Sequence, residues 1–135
     1  QGRLLGIAML YNPARYGLNS GIGFAVPLWS VRRSLARLDK GEHVWPGYLG
    51  VRLPPVFEPE IRGVRLVKTV KHSPAERGGL QPGDWITRIN GVRTPDNITA
   101  LNELRGAIEG ERVEVEVTRN GRVLDFSIQA EMRGG

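Results

Sequence analysis

Residues 73–91 read SPAERGGLQPGDWITRING and hold the densest set of structural signals in the chain. Ser73 and Pro74 predict the start of a one-turn helix, because serine caps free N–H groups of the first turn and proline has none to lose. The glycine pair that follows predicts its end. Residues 81–84, Gln-Pro-Gly-Asp, predict a type II turn, since proline fits the second position and glycine the third. A one-turn helix followed directly by a tight turn is therefore expected.

The chain downstream of this turn predicts strands around one long helix. Residues 85–89 predict a strand, and Asn90-Gly91 is a strong signal for a two-residue hairpin turn. Residues 113–118 and 124–130 alternate apolar with polar side chains, which predicts two strands with one buried and one solvated face. Asn120-Gly121 is expected to join them. The helix is expected over residues 97–109, ended by Gly110, with an apolar face made of Ile98, Leu101, Leu104 and Ile108.

Upstream, residues 64–70 predict a further strand, with Val64, Leu66 and the Val67/Val70 pair as core candidates. Leu80 is expected to pack inward. Asp84, which follows the type II turn, is expected to be structural rather than catalytic.

Residues 47–53 read GYLGVRL and predict a tight loop that runs into a strand. Gly50 allows a sharp turn, and successive N–H groups in such a turn form a concave site for an anion. If the following strand is an open edge, an extended peptide can add to it as a further strand, with its terminal carboxylate in the loop. An ordinary buried strand start is the alternative. Pro54 has no N–H, so pairing should end there.

The first 40 residues predict a smaller assembly. Residues 4–10 and 22–26 predict buried strands, and residues 29–38 predict a helix with Ser30 as its N-cap and Gly41 as its stop. Two strands and one helix are too few to bury their own apolar faces. We therefore expect residues 1–44 to be disordered, to pack on the rest of the chain, or to exchange between copies.

Composition narrows the function classes. The 135 residues include 19 basic and 14 acidic ones, which gives a net charge of +5, and there is no cysteine. The basic residues are spread out and lack interleaved aromatic residues, which does not favour a nucleic-acid partner. The two histidines have no metal-ligand spacing, and we predict no metal and no cofactor. No apolar run approaches the length of a membrane span. The first residue is Gln, so we expect a piece of a longer protein.

The order of elements, together with residues 73–84 and 86–91, resembles a bacterial-type PDZ domain over residues 46–132. This resemblance implies an α+β fold, a small β-barrel or sandwich of about five strands with one long and one short helix. Residues 2–7 (GRLLGI) and 21–27 (GIGFAVP) resemble the end of the trypsin-like domain of HtrA/Deg-type serine proteases. We therefore assign residues 1–44 to the last two strands, C-terminal helix and linker of a trypsin-like β-barrel, and residues 45–133 to the PDZ domain.

The catalytic residues of that family lie upstream of these segments. Asn19-Ser20-Gly21 resembles the family's nucleophile motif, Asn-Ser-Gly-Gly-Pro, but Ile22 follows where glycine is required. No base or orienting acid is in a position to activate Ser20, because His43 is expected in a linker and His72 in a loop. We predict no catalytic residue and no hydrolytic activity in this chain by itself.

The resemblance implies a peptide groove between the strand from Val51 and the long helix. Carboxylate binding is expected from the backbone N–H groups of Leu49, Gly50 and Val51. The peptide strand and an apolar pocket are expected to involve Tyr48, Leu53, Ile86, Leu101 and Leu104. Plain packing of Leu101 and Leu104 in the core is an equal alternative, because one helical stripe serves both purposes. Arg52 and Arg105 either attract the carboxylate or are ordinary surface residues.

The leading function is a peptide-binding PDZ module of an HtrA-type serine endopeptidase. By resemblance it would bind C-terminal or extended peptide segments, act in protein quality control, and reside in the periplasm, the cell envelope or outside the cell. The missing protease barrel is an expected partner in the parent, and a homotrimer is what the family implies. The alternatives are a non-catalytic PDZ scaffold or adaptor, and a PDZ unit of an intramembrane or C-terminal processing protease.

Overall fold

The computed structural model of the protein describes residues 2–8, 25–54 and 63–133. The chain divides into two compact units, Gln1–Val44 and Trp45–Gly135. Ser20 and the predicted loop around it lie outside the described residues. Every helix in the described part of the chain is too short or too polar to cross a membrane.

The first unit contains a short strand pair followed by a helix. Strand β1 (Gly6–Ala8) pairs antiparallel with β2 (Ala25–Pro27), and helix α1 (Leu28–Leu38) follows directly. The prediction of Ser30 as N-cap is wrong, because α1 begins two residues earlier, where the Leu28 N–H donates to the Leu5 carbonyl at 3.0 Å. The chain enters the helix straight from β2, which leaves no separate capping loop.

Several apolar side chains in the described part of the first unit are exposed. The predicted buried strand over residues 4–10 is wrong in its burial, since Leu5 is 83% exposed and Leu4 is 59% exposed. Leu35 and Leu38 on α1 are also about half exposed, at 45% and 52%. Three elements cannot enclose these side chains between them, which is the physical reason for the exposure.

The second unit is built from antiparallel strands and two helices. Its main sheet has the order β10-β9-β7-β5, with β8 paired to β7, and two further strand pairs, β3 with β11 and β4 with β6, stand outside it. The described strands are more numerous than the five predicted, several have only two residues, and they form separate sheets rather than one closed barrel. Their bounds are β3 Gly47–Tyr48, β4 Val51–Arg52, β5 Val64–Arg65, β6 Lys68–Thr69, β7 Trp85–Ile89, β8 Val92–Arg93, β9 Arg112–Arg119, β10 Arg122–Gln129 and β11 Glu131–Met132.

The short helix and both hairpins agree with the sequence. Helix α2 (Pro74–Arg77) has Ser73 as its N-cap, whose hydroxyl accepts from the Glu76 N–H at 3.3 Å. The Asp84 N–H donates to the Gln81 carbonyl at 3.1 Å and closes the predicted turn. Asn90-Gly91 and Asn120-Gly121 all have positive φ, as a type I′ hairpin turn requires.

The long helix is shorter than predicted. Helix α3 (Asn97–Arg105) is capped by the Asp96 carboxylate, which accepts from the Thr99 N–H at 2.7 Å. It ends at Gly106, not at Gly110, because Ile108 leaves the helix to form a β-bridge with Pro46. Ile98, predicted on the apolar face, is 53% exposed. The β-bridge at Ile108 prevents the helix from continuing to Gly110.

One apolar cluster fills the space between the sheet and the helices. The predicted core residues Val64, Leu66, Leu80 and Ile108 are buried, whereas Val67 is 47% exposed because residues 64–70 form two short strands with a break at Leu66. The cluster consists of Leu49, Val64, Leu66, Ala75, Leu80, Ile86, Ile89, Ala100, Leu104, Ala107, Val113, Val115, Val117, Ile128 and Ala130.

A partly buried ion pair joins the end of β9 to the turn before β7. The Asp84 side chain is 1% exposed, and it accepts hydrogen bonds from the Arg119 guanidinium at 2.7 and 2.8 Å and from the Gln81 N–H at 2.8 Å. Arg119 also donates to the Gly79 carbonyl at 2.9 Å. The hydrogen bond to Asp84 raises the pKa of the Arg119 guanidinium above its ordinary value. Asp84 is therefore structural, as predicted.

Candidate functional site

The loop from Gly47 to Val51 is held at three backbone positions. The Gly47 N–H donates to the Ala107 carbonyl at 2.9 Å. The Leu49 carbonyl accepts from the Ala75 N–H at 2.9 Å, and the Gly50 carbonyl accepts from the Val70 N–H at 2.7 Å. These contacts come from three different parts of the second unit, so the conformation of the loop is fixed by the fold before any ligand arrives.

A residue with a side chain does not fit at Gly50 without strain. Its φ is +81°, in the left-handed region where side chains are strained. A Cβ at this position would lie 2.2 Å from the Cβ of Ser73 and 2.6 Å from its hydroxyl oxygen. The absent side chain lets the loop lie directly against the N-cap of α2.

Strand β4 has a free edge. It pairs only with β6 among the described residues. The Gly50 and Arg52 carbonyls both accept hydrogen bonds from the β6 side, from the Val70 N–H and from the Val67 N–H at 2.9 Å. Because the N–H and C=O of a trans peptide unit point in opposite directions, the N–H groups of Val51 and Leu53 point away from β6. The backbone of β4 therefore offers alternate hydrogen-bonding groups to a further strand.

The side chains of β4 and of Leu53, which follows it, alternate in the same manner. Val51 and Leu53 are half-buried and pack against the apolar cluster, whereas Arg52 is exposed. Leu104 on α3 is 8% exposed, and Leu49 is 4% exposed in the same cluster. An apolar side chain placed on the inner side of this edge would meet the outer surface of the core.

Two further predicted pocket residues differ in accessibility. Leu101 on α3 is half-buried and remains accessible to a ligand. Ile86 is 1% exposed within β7, where it pairs with Val64 and Val117, and its side chain is part of the apolar cluster. Its role in a pocket stays a prediction.

Within this loop, Tyr48 lies next to the Gly50 turn. It is half-buried in β3, where it pairs with Glu131 of β11. Its hydroxyl lies 3.2 Å from the position that a Cβ on Gly50 would take, and the Arg133 guanidinium lies 5.8 Å from the centre of its ring. The C-terminal strand of the unit thus holds Tyr48 next to the Gly50 turn.

Asn97 ties the start of α3 to the end of β4, a contact that the sequence did not predict. Its side-chain amide donates to the Pro54 carbonyl at 2.7 Å, and the residue is 6% exposed. This bond fixes the separation of strand and helix at one end of the space between them. An asparagine at the first position of a helix is the only local signal, and it says nothing about the partner.

Four exposed basic side chains occur on β4, on α3, on β6 and just after β6. Arg52 and Arg105 are exposed, and so are Lys68 and Lys71. None of the four forms an ion pair with a described acidic residue. The neighbouring His72 donates its backbone N–H to the Glu76 carboxylate at 2.6 Å.

No group of histidine, cysteine and acidic side chains suited to a metal ion occurs in residues 2–8, 25–54 and 63–133.

Comparison with known proteins agrees with this geometry. The PDZ domain family matches residues 66–119. A probable periplasmic DegP-like serine endoprotease of Chlamydia muridarum is 32% identical over 120 residues, which are 80% of this chain and 23% of the relative. One from Rhizobium meliloti is 29% identical over 130 residues, 90% of this chain and 25% of the relative. The chain is homologous to the HtrA/DegP serine endoproteases and contains a PDZ domain.

Solved structures give the same relationship. The HtrA-type protease AlgW with a tripeptide is 26% identical, with a TM-score of 0.61 over 99% of this chain and 47% of that chain. The PDZ domain of HtrA3 bound to a phage-derived ligand, FGRWV, is 30% identical, with a TM-score of 0.53 over 66% of this chain and 88% of that chain. The present chain spans about a quarter of the length of its DegP-like relatives. The fold of the PDZ domain is thus a mixed α/β fold shared with HtrA proteins.

Several predicted site residues share the apolar cluster. Leu49, Ile86 and Leu104 belong to it, and Val51 and Leu53 pack against it. The roles of individual residues in ligand binding stay predictions. Asn97 and Lys68 are the neighbours that the sequence did not identify, because both positions depend on contacts between elements distant in the chain.

Proposed function

We propose that residues 45–133 form a PDZ domain that binds the C-terminal or extended segments of other proteins by strand addition to β4. The observation that carries this proposal is the orientation of the peptide groups in β4, where the N–H groups of Val51 and Leu53 face a free edge. A peptide strand satisfies such groups with the regular spacing of an antiparallel ladder. The peptide ligands named in the AlgW and HtrA3 structures support the same mode.

The terminal carboxylate is held by the N–H groups of Leu49, Gly50 and Val51. Each charge-assisted hydrogen bond of this kind contributes roughly 1.5–3 kcal/mol. The last side chain of the peptide then lies against Val51, Leu101 and Leu104, where apolar surface is accessible at the edge of the core. Tyr48 stands beside this position, and Leu53 pairs further along the peptide.

Residues 1–44 are proposed to be the last two strands, the C-terminal helix and the linker of a trypsin-like domain. The exposed apolar side chains of β1 and α1 support this, because a protease barrel would cover them. The parent protein is then a periplasmic or envelope serine endopeptidase in protein quality control, assembled as a homotrimer. The present chain has none of the catalytic residues and does not hydrolyse peptides by itself.

The proposal is tested with fluorescein-labelled pentapeptides that end in valine or phenylalanine. Binding to the full chain is measured by fluorescence anisotropy, and a C-terminally amidated twin of each peptide serves as the control. We expect the free acid to bind at least tenfold more tightly, since the amide loses the charge that the loop receives. Equal binding of acid and amide would refute carboxylate recognition.

Strand addition is tested by N-methylation of the peptide. Methylation of the last residue removes the N–H that donates to the Val51 carbonyl, whereas the N–H of the penultimate residue points away from β4 in an antiparallel ladder. We expect the first change to weaken binding about tenfold or more and the second to have a smaller effect. The reverse order would exclude this register and favour a unit that acts as a scaffold through another surface.

A further inference from the structure

The exposed face of the β4–β6 strand pair carries a row of two like charges, one on each strand. Arg52 lies directly opposite Lys68 in the antiparallel pair formed by β4 and β6, and both side chains are exposed. Residues directly opposite each other project from the same face of a sheet. Like charges in such a pair destabilise the sheet, and neither residue forms an ion pair with a described carboxylate.

The register of the free edge determines which ligand residue meets this row. Val51 presents its N–H and carbonyl to the edge, so the last residue of a peptide faces Val51, with a carboxylate oxygen in the role of the acceptor. The penultimate residue then faces Arg52, and the third residue from the end faces Leu53. In an antiparallel ladder the pair at Arg52 is of the non-hydrogen-bonded type, in which side chains approach most closely, at a Cα separation of about 4.5 Å.

We propose that Arg52, assisted by Lys68, selects peptides with an acidic penultimate residue. This inference rests on the proposed function, since it assumes strand addition to β4. The acidic side chain would lie on the solvent side of the ladder, next to the Arg52 guanidinium and away from the apolar cluster. It would relieve the repulsion between Arg52 and Lys68 while the last residue occupies the apolar side.

The test compares three peptides that differ only at the penultimate position, which is glutamate, glutamine or lysine. Anisotropy titrations with the full chain are expected to give two- to fivefold tighter binding of the glutamate peptide than of the glutamine peptide, as for an exposed ion pair. The lysine peptide is expected to bind more weakly than the glutamine peptide. Raising the salt concentration from about 50 to 500 mM should reduce the preference, because exposed pairs are screened.

Three variants of the protein separate local pairing from net charge. Arg52→Gln is expected to abolish the preference for glutamate, and Arg52→Glu to invert it in favour of lysine. Lys68→Gln is expected to reduce the preference only in part. Arg122→Gln is the matched control, because Arg122 is an exposed arginine at the start of β10 in the main sheet and its loss lowers the net charge by the same amount.

The outcomes distinguish this inference from the proposed function. If free-acid peptides bind and amidated twins do not, but glutamate and glutamine peptides bind equally, peptide recognition stands and the role of Arg52 is refuted. A preference that falls equally in Arg52→Gln and Arg122→Gln would also refute it, in favour of general attraction by a basic protein. If acid and amide peptides do not differ, both the function and the selectivity fail. Unchanged far-UV circular dichroism of each variant confirms that the fold is retained.

Discussion

Replacement of Gly50 by alanine gives a quantitative test of the preformed loop. Strain from a side chain in the left-handed region, at φ +81°, costs about 1–2 kcal/mol. The new Cβ would also lie 2.2 Å from the Cβ of Ser73, and relief of such an overlap costs about 1–3 kcal/mol. We therefore expect Gly50→Ala to lower the free energy of unfolding by about 2–5 kcal/mol and to weaken peptide binding, since the displaced loop carries the proposed carboxylate site.

Two companion variants divide this loss into its parts. Gly110 has nearly the same φ, +82°, but a Cβ there would have nothing within 4 Å, so Gly110→Ala should cost only the strain. Ser73→Gly removes the two atoms that would lie within 3 Å of the new Cβ, and a glycine cap costs only a few tenths of a kcal/mol relative to serine. In the double variant we expect recovery of about 1–3 kcal/mol relative to the sum of the single changes.

The measurement is urea denaturation followed by far-UV circular dichroism, with the midpoint and the slope fitted for each variant. Anisotropy with the free-acid peptide is measured on the same samples. Equal losses for Gly50→Ala and Gly110→Ala, together with additive effects of Gly50→Ala and Ser73→Gly, would refute the contact between the loop and the cap of α2.

Three further predictions concern the ion pair and the contact between helix and strand. Arg119→Met leaves the buried Asp84 carboxylate without its guanidinium partner and should lower the unfolding free energy by about 3–5 kcal/mol, with partial recovery when Asp84→Asn is added. A loss below about 1 kcal/mol in urea denaturation would contradict this prediction. The folded-state pKa of Arg119 is raised, so its stabilisation is complete at any pH below the unfolded pKa and disappears only as the pH rises through the folded pKa. The difference in unfolding free energy between wild type and Arg119→Met should therefore stay constant in urea titrations from about pH 6 to 10. Asn97→Ala removes the 2.7 Å hydrogen bond to the Pro54 carbonyl and should weaken peptide binding roughly threefold to tenfold in anisotropy titrations. Asn102→Ala, on the exposed side of α3, should have no effect. Equal effects of the two substitutions would show that the bond does not position the helix.

Local chemistry explains the elements that the sequence predicted well. The cap at Ser73, the turn before Asp84 and the two Asn-Gly hairpins depend on a few adjacent residues whose backbone preferences agree with one another. The alternation over residues 113–118 identified the core face of β9, because a strand with one solvated face must repeat every two residues. These signals act over short distances and are therefore visible in the sequence.

Errors occurred where contacts between distant segments prevail over local preference. The long helix ends at Gly106 because Ile108 pairs with Pro46, and no residue near Ile108 signals that pairing. Residues 64–70 divide at Leu66, whose N–H donates to the Asp84 carbonyl at 2.8 Å, so Val67 faces solvent. The apolar stripe predicted for α3 likewise placed Ile98 inside, since periodicity alone does not show which part of a helix has a neighbour.

The sequence by itself determined the turns, the cap at Ser73, the core faces of the long strands and the glycine at position 50, because each follows from the conformational preferences of neighbouring residues. Only the tertiary structure decided that the Gly50 turn lies against Ser73, that one edge of β4 has no partner strand among the described residues, and that Asn97 is bonded to Pro54. The physical reason is that a binding edge is defined by which backbone groups remain unpaired after the other strands have found their partners.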